Sequence, residues 1–448
     1  MEIFGIPRFG INDPCARRLI IIKNAFDLHS LKRSFFGVAV ISLVGIPLML
    51  LANIVLARTL TVADFGTFGF VIALATVLAI PTSAGLPMLL TREVASYSQR
   101  GDWSSYRGIV RSAHAWVIAA TVMVGVGFAA WWVLVRPDNA NTLPAAFVLI
   151  PIFGFTSIRT GVLKGLGRPM LAEAPVQILQ PLVLVAGYFG LAWFGYSTAS
   201  NALWWYALTS MVICVLAAVA LRHILSKRSR GVAPNLSERP RWCKALVPFA
   251  LISASTVLSA QTAILLLGFF GQQEAVALLR VAERGAQLVA FPLAFVASIL
   301  GPYVVNAMNS GRSEELANVA RLSARLSLAT SLPVALVLLL SGEWLIRVTF
   351  GAPYDQLSYE PLVILIGAQI FSVLMGNGGV LLAMAGQERE TVYGLMSGII
   401  AILICGVLLI ESHGAVGGAL AAASGIAVSK LYFFVAVRRR LGFSSAII

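Results

Sequence analysis

Charge is scarce in this 448-residue sequence: Asp, Glu, Lys and Arg together make up 12% of it, about half the share of an ordinary soluble domain. That scarcity, set beside 58% hydrophobic residues and a mean hydropathy of +0.87, excludes a conventional soluble enzyme and leaves a polytopic membrane protein. Cysteine and histidine are also rare, at four each. Cys15, Cys214, Cys243 and Cys405 form no CxxC pair, and His29, His114, His223 and His413 are dispersed. Neither a disulfide frame nor a zinc site is indicated, and no cofactor is expected. Phosphate-cradling loops are missing too. "KGLGRP" (164–169) has two glycines but neither Walker A nor dinucleotide-fingerprint spacing, and reads as a tight cytoplasmic turn. Without a nucleotide-binding domain, any pumping draws on an ion gradient, a substrate gradient or a separate subunit.

Long apolar runs are what the sequence does have. Twelve of them, from 34–56 to 415–437, reach the ~17 to 25 residues that cross a bilayer as helix. With the N-terminus inside, all but five of the 33 Lys and Arg fall on the cytoplasmic side; the five are Arg58, Arg136, Arg280, Arg284 and Arg347. The positive-inside rule therefore places both termini in the cytoplasm. Tryptophans are expected at the membrane boundaries, Trp131, Trp132, Trp193, Trp204, Trp205 and Trp344 at outer ends and Trp103, Trp116 and Trp242 at inner ones. The net charge of +14 is then mostly topology, and scattered cations do not make a nucleic-acid surface.

The division of the chain follows. Residues 1–33 form a basic cytoplasmic segment in which "RRLIIIKNAF" is either an interfacial helix or a plain leader. Residues 34–225 hold six spans, 226–243 a basic, Pro-containing linker, 244–437 six more spans, and 438–448 a tail. A shift of 210 residues lays Asp64 on Glu274, Gly101 on Gly311 and Arg111 on Arg321. Two six-helix bundles of the same topology, repeated about an axis along the membrane normal, would enclose a central cavity.

Polar residues inside spans are the candidate site. "LLRVAERGAQLVAFPLAFVASIL" (278–300) places Arg280 and Arg284 one helical turn apart, with Gln287 on the same face and Glu283 beside it. Two readings stay open. Residues 288–305 nearly span alone, leaving both arginines to snorkel outward; alternatively the helix extends from 275 and turns its stripe into a water-filled lumen. Arg58, Asn53, Gln177, Gln180, Gln261, Gln369 and Asn377 are further lumen candidates, each with interhelical hydrogen bonding as the plainer role. Gly417, Ala421 and Gly425 are spaced for helix packing.

The segment "LARTLTVADFGTFGFVIALATVLAIPTSAGLPMLLTREVASYSQRGDWSSY" resembles the first helical hairpin of polysaccharide flippases of the multidrug/oligosaccharidyl-lipid/polysaccharide exporter (MOP) superfamily, through the LAR before a D-F-G turn and R-E-V-A at the inner end of the second span. "VLKGLGRPMLAE", "RVAERGAQLVAFPLAFVASILGPYVVNAMNSGRSEEL" and "GVLLAMAGQERE" resemble that family's later loops and helices. The resemblance implies a MATE-like fold and a Wzx-type flippase that moves an undecaprenyl-diphosphate-linked oligosaccharide across a bacterial cytoplasmic membrane by alternating access. It further implies roles in O-antigen, lipopolysaccharide or exopolysaccharide synthesis, with H+ or Na+ coupling, and glycan polymerase and chain-length proteins as partners. Lipid II flippases of the superfamily carry two more helices than the twelve expected here. A drug antiporter of the same superfamily would need a carboxylate deep in a span, and none is evident. A membrane glycan polymerase or ligase would need a large outer loop, whereas the longest outer connection is about 343–360.

Overall fold

The computed structural model describes residues 28–135, 142–225, 232–309 and 313–441, and among them the regular structure is helical throughout. Most of the basic leader, Arg136 and Asp138, the start of the linker and the end of the tail lie outside the described residues. In chain order the helices are α1 (Leu28–Thr59), α2 (Val62–Leu78), α3 (Ile80–Ser83), α4 (Leu86–Arg100), α5 (Trp103–Val135), α6 (Leu143–Gly165), α7 (Pro169–Ala174), a π-helical turn (Pro175–Leu179), α8 (Gln180–Trp193), α9 (Ala199–Leu225), α10 (Arg239–Phe269), α11 (Gln273–Asn309), α12 (Ser313–Thr349), α13 (Tyr354–Leu357), α14 (Tyr359–Met375), α15 (Gly378–Met384) and α16 (Glu388–Leu441).

Nine described helices are long and apolar enough to cross a membrane, or ten if the bent α2 to α4 stretch counts as one span. The sequence led to twelve, and the difference has physical causes. The second apolar run, 65–90, is broken: α2 ends at Leu78, Pro81 sits in the first turn of α3, and the chain bends by 50°. A break inside hydrocarbon frees backbone carbonyls that need new donors. Here the indole of Trp116 donates to the Pro81 carbonyl at 2.9 Å, and the Thr82 hydroxyl to the Ala79 and Ile150 carbonyls at 2.8 and 3.3 Å. The charged α11 is not among the nine. The runs 391–410 and 415–437 lie on the single 54-residue α16, two helices joined across a kink at Gly414 (φ 53, ψ −123).

Lipid tails are as apolar as leucine, so helices in membranes associate through close packing and polar contacts rather than hydrophobic burial. Small residues bring the limbs of α16 together: a Cβ on Gly425 would lie 2.3 Å from Ile402, and one on Gly417 2.3 Å from the Leu409 carbonyl oxygen. Among the described residues α1 packs on α8, α4 on α6, α11 on α12, and α10 and α14 on α16, while α2 joins the N-terminal and C-terminal helices by packing on both α10 and α11. Trp242 departs from the expected boundary position. Trp242 is 3% exposed and donates to the Tyr97 hydroxyl at 3.0 Å, so it belongs to a packed core with Tyr97, Tyr106 and Leu246 rather than to a headgroup belt. Trp193 and Trp344, at 87% and 61% exposure, have the expected outward character.

Candidate functional site

The charged stripe begins two turns into α11, where the start of that helix is pressed against α2. Glycine makes this approach: a Cβ at Gly66 would fall 1.7 Å from the Gln273 carbonyl oxygen, and one at Gly69 2.5 Å from Cδ of Arg280. Arg280 lies across that gap, 8% exposed, and its guanidinium donates to the Gly69 carbonyl at 2.8 Å. It does not reach for bulk water as a snorkelling arginine does. One turn on, half-buried Arg284 donates to the side-chain oxygen of exposed Gln287 at 2.9 Å. Glu283, half-buried, lies within electrostatic range of both arginines. It stands about 15 Å along the helix from Gln273.

Helices α8 and α9 face this stripe. Tyr188 is buried, and Phe68 of α2 meets Tyr188 and Tyr206 edge-on, with ring centroids 6.4 and 6.0 Å away. Tyr206 lies in the field of both Arg280 and Arg284, Tyr188 in that of Arg280. Buried Gln180 donates to the Ser210 hydroxyl at 3.0 Å, and the Tyr206 hydroxyl interacts with both side chains. The structure thus brings two cations and one carboxylate of α11 near two phenols and an amide–hydroxyl pair of α8 and α9 that stand at least 70 positions earlier in the sequence. Tyr188, Tyr206 and Ser210 escaped the sequence reading. Their pairing with α11 depends on tertiary packing, and a tyrosine in an apolar run reads as packing.

The other candidates lie elsewhere. Gln177 bonds Glu173 at 2.8 Å, and Glu173 pairs with Lys164 at 2.6 Å near the 164–169 turn. Asn53 is 7% exposed and donates to the Met49 carbonyl of its own helix at 2.7 Å. Asn377, at the break between α14 and α15, donates to the Leu293 carbonyl at 3.3 Å. Gln261 and Gln369 are half-buried on α10 and α14. Arg58 is exposed at the end of α1, where its Nε donates to the Thr349 carbonyl at 2.6 Å and its Nη2 to the Val348 carbonyl. This cation caps the C-terminus of α12, whose last carbonyls lack intrahelical donors. Together with the edge-on contact of Phe65 and Tyr354 at 6.1 Å, it closes the end of the α2–α11 seam next to which both helices start.

Residues 31–308, more than half of the chain, match the sequence model of the polysaccharide biosynthesis protein family. The chain belongs to that family. Among its relatives is the probable low-salt glycan biosynthesis flippase Agl15 of Haloferax volcanii, 25% identical over 400 residues, which span 89% of this chain and 82% of the relative. The fold is that of the MOP superfamily. An inward-facing multidrug resistance MATE transporter superposes with a TM-score of 0.73 at 14% identity, over 89% of this chain and 94% of that one. The lipid II flippase MurJ in an inward closed conformation gives 0.69 at 11% identity, over 89% and 87%. A MOP superfamily transporter from Pyrococcus furiosus, whose binding pocket is of reverse polarity, gives 0.64 at 16% identity, over 92% and 96%. This polysaccharide biosynthesis protein is thus a multi-pass membrane protein, and its named relatives are flippases and transporters.

Proposed function

We propose that the protein is a flippase that carries a lipid-linked oligosaccharide, with an undecaprenyl-diphosphate anchor, across the cytoplasmic membrane for surface polysaccharide synthesis. Twelve membrane passes with both termini in the cytoplasm form two six-helix bundles, and the substrate passes between them by alternating access. Helix starts at Val62 and Gln273, and at Trp103 and Ser313, keep the 210-residue relation within one residue, which supports the repeat.

The observation that carries the substrate class is the α11 stripe. Two guanidinium groups sit at the contact between the bundles with one carboxylate between them, and the arginine donors go to a neutral carbonyl and a neutral amide. A diphosphate is the complement of that surplus positive charge, because guanidinium forks bind phosphate oxygens in pairs. Gln180, Ser210, Tyr188 and Tyr206 present neutral donors, acceptors and aromatic faces opposite it, suited to sugar hydroxyls and rings. The closed seam at Arg58 and Phe65 supports a state that opens to the cytoplasm, the side on which such substrates are assembled.

Ion-coupled antiport of a small cation is a second reading, favoured by Glu283. The two separate in one experiment. In a strain deleted for this gene and its paralogues, the flippase reading requires lipid-linked repeat units to accumulate on the inner leaflet and surface glycan to fall, both restored by the wild-type gene. Unchanged surface glycan together with new sensitivity to cationic drugs would move the assignment to the antiporter. Topology is checked by labelling single cysteines with an impermeant reagent on intact cells: Tyr196→Cys is expected to react and Cys243 to stay protected.

A further inference from the structure

The cytoplasmic end of α16 holds a charged cluster that the proposed transport path does not use. A cleft of about 420 Å³ is lined by Glu390, Tyr432, Val435, Ala436, Arg439 and Arg440. Glu390 is tied down on one wall. It accepts the Tyr432 hydroxyl at 2.7 Å and both Nε and Nη2 of Arg440 at 3.0 and 2.7 Å. These bonds, the tyrosine's first, hold its carboxyl below the ordinary range. That pairing consumes one carboxylate and one guanidinium. Arg439, on the same cleft, is exposed and has no carboxylate partner among the described residues, so the cleft keeps a net positive charge.

Its shape sets a polar mouth beside an apolar floor. Ala436 is buried, and Val435 is 43% exposed on the face that α16 turns to lipid. Tyr393 of the same helix, 57% exposed, lies in the field of Tyr432, adding an aromatic group at the same level. Cations and tyrosines over exposed aliphatic surface are the chemistry of an acidic headgroup site at the inner boundary of a bilayer.

We propose that this cleft binds the phosphodiester headgroup of an anionic inner-leaflet lipid, with Arg439 as its principal contact and the Tyr432–Glu390–Arg440 triad holding the cleft open. The site needs the cytoplasmic placement of the chain's end but not the flippase activity, and its test involves no transport.

Full-length protein in neutral detergent is titrated with phosphatidylglycerol, phosphatidylcholine or inorganic phosphate, and retained ligand is counted by native mass spectrometry. Wild-type protein is expected to retain phosphatidylglycerol over phosphatidylcholine by about fivefold, the effect of one interfacial cation. Arg439→Gln leaves the triad intact and is expected to erase that preference, whereas Arg222→Gln, an exposed cation on α9, keeps it. Equal retention of the two lipids by wild type, or equal behaviour of the two variants, would overturn the proposal. So would retention of inorganic phosphate matching that of phosphatidylglycerol, which would make the ligand a free anion.

Discussion

Two clusters of charge join distant parts of this chain, and they are built on opposite plans. At the start of α10, each carboxylate meets a cation. Glu93, 4% exposed, pairs with Arg92 at 2.9 Å and Arg241 at 3.9 Å. Glu238 takes Arg241 at 2.8 Å and the Tyr97 hydroxyl at 2.8 Å, and Trp242 completes the chain through that hydroxyl. On α11, two guanidinium groups share one carboxylate and spend their donors on neutral groups. A neutralised cluster gains nothing from a further ligand and acts as a brace, fixing α10 to α4. An unneutralised one in a desolvated seam is costly to keep without a purpose, and intramembrane ionisable groups are most often functional. The contrast separates a structural contact from a candidate binding site although both mix arginine, glutamate and tyrosine.

That contrast can be broken experimentally, starting where the effect is largest. Gly69→Val places a side chain where Arg280 now lies, so the guanidinium must leave its carbonyl while the charge count is unchanged. Surface glycan is expected to fall by about tenfold at near-normal protein abundance, a loss of ~1.4 kcal/mol of transport-relevant interaction. Normal glycan in that variant would show that the position of Arg280 does not matter. Glu93→Gln should act the other way, because it leaves Arg92 without the carboxylate that it pairs with at 2.9 Å and removes the bridge to Arg241. It is expected to lower the melting temperature of the purified protein by a few degrees, about 1 to 2 kcal/mol, with flux per folded molecule preserved. Tyr97→Phe removes one hydroxyl shared by Glu238 and Trp242 and is expected to cost about 1 kcal/mol in the same melt.

The smallest effect concerns acid. Glu390 is held below the usual glutamate range by Tyr432 and then Arg440. A depressed folded-state pKa means its stabilisation is fully present above the unfolded value of about 4.5, and is lost as pH falls through the lower folded one. Wild type should therefore lose slightly more thermal stability than Glu390→Gln on descending from pH 5 to about pH 3. Identical acid limbs for the two proteins would mean that the triad contributes no measurable linkage.

Legibility in the sequence follows the range of the interactions. The apolar helical spans and the i, i+4 stripe of Arg280 and Arg284 depend on local periodicity, and were readable. What the stripe faces was not. Gly69 contributes a backbone carbonyl, which has no sequence signature. Tyr188 and Tyr206 join the site only because α8 and α9 bring their rings against Phe68 of α2, within the field of the α11 arginines. Asn53 and Gln177 find partners within a turn of themselves, which an isolated polar letter in a span cannot disclose. Arg58 read as a lumen cation, whereas its donors cap a helix 290 residues away. Trp242 read as a membrane anchor because its position in the chain is interfacial; the linker folds back on α4 and α5 and buries it. For Arg280, Arg58 and Trp242 a local pattern was satisfied by a partner from a distant segment.

The central claim is that Arg280 and Arg284 supply the positive charge that a diphosphate-linked glycan meets between the bundles. The direct test is the Arg280→Ala/Arg284→Ala double variant in the deletion strain, with surface glycan and inner-leaflet lipid-linked repeat unit both quantified at membrane protein levels matched to wild type. Loss of surface glycan with accumulation of the repeat unit is predicted, and Arg284→Lys alone should retain part of the export because a point charge keeps attraction without the bidentate fork. Wild-type export by the double variant would contradict the account.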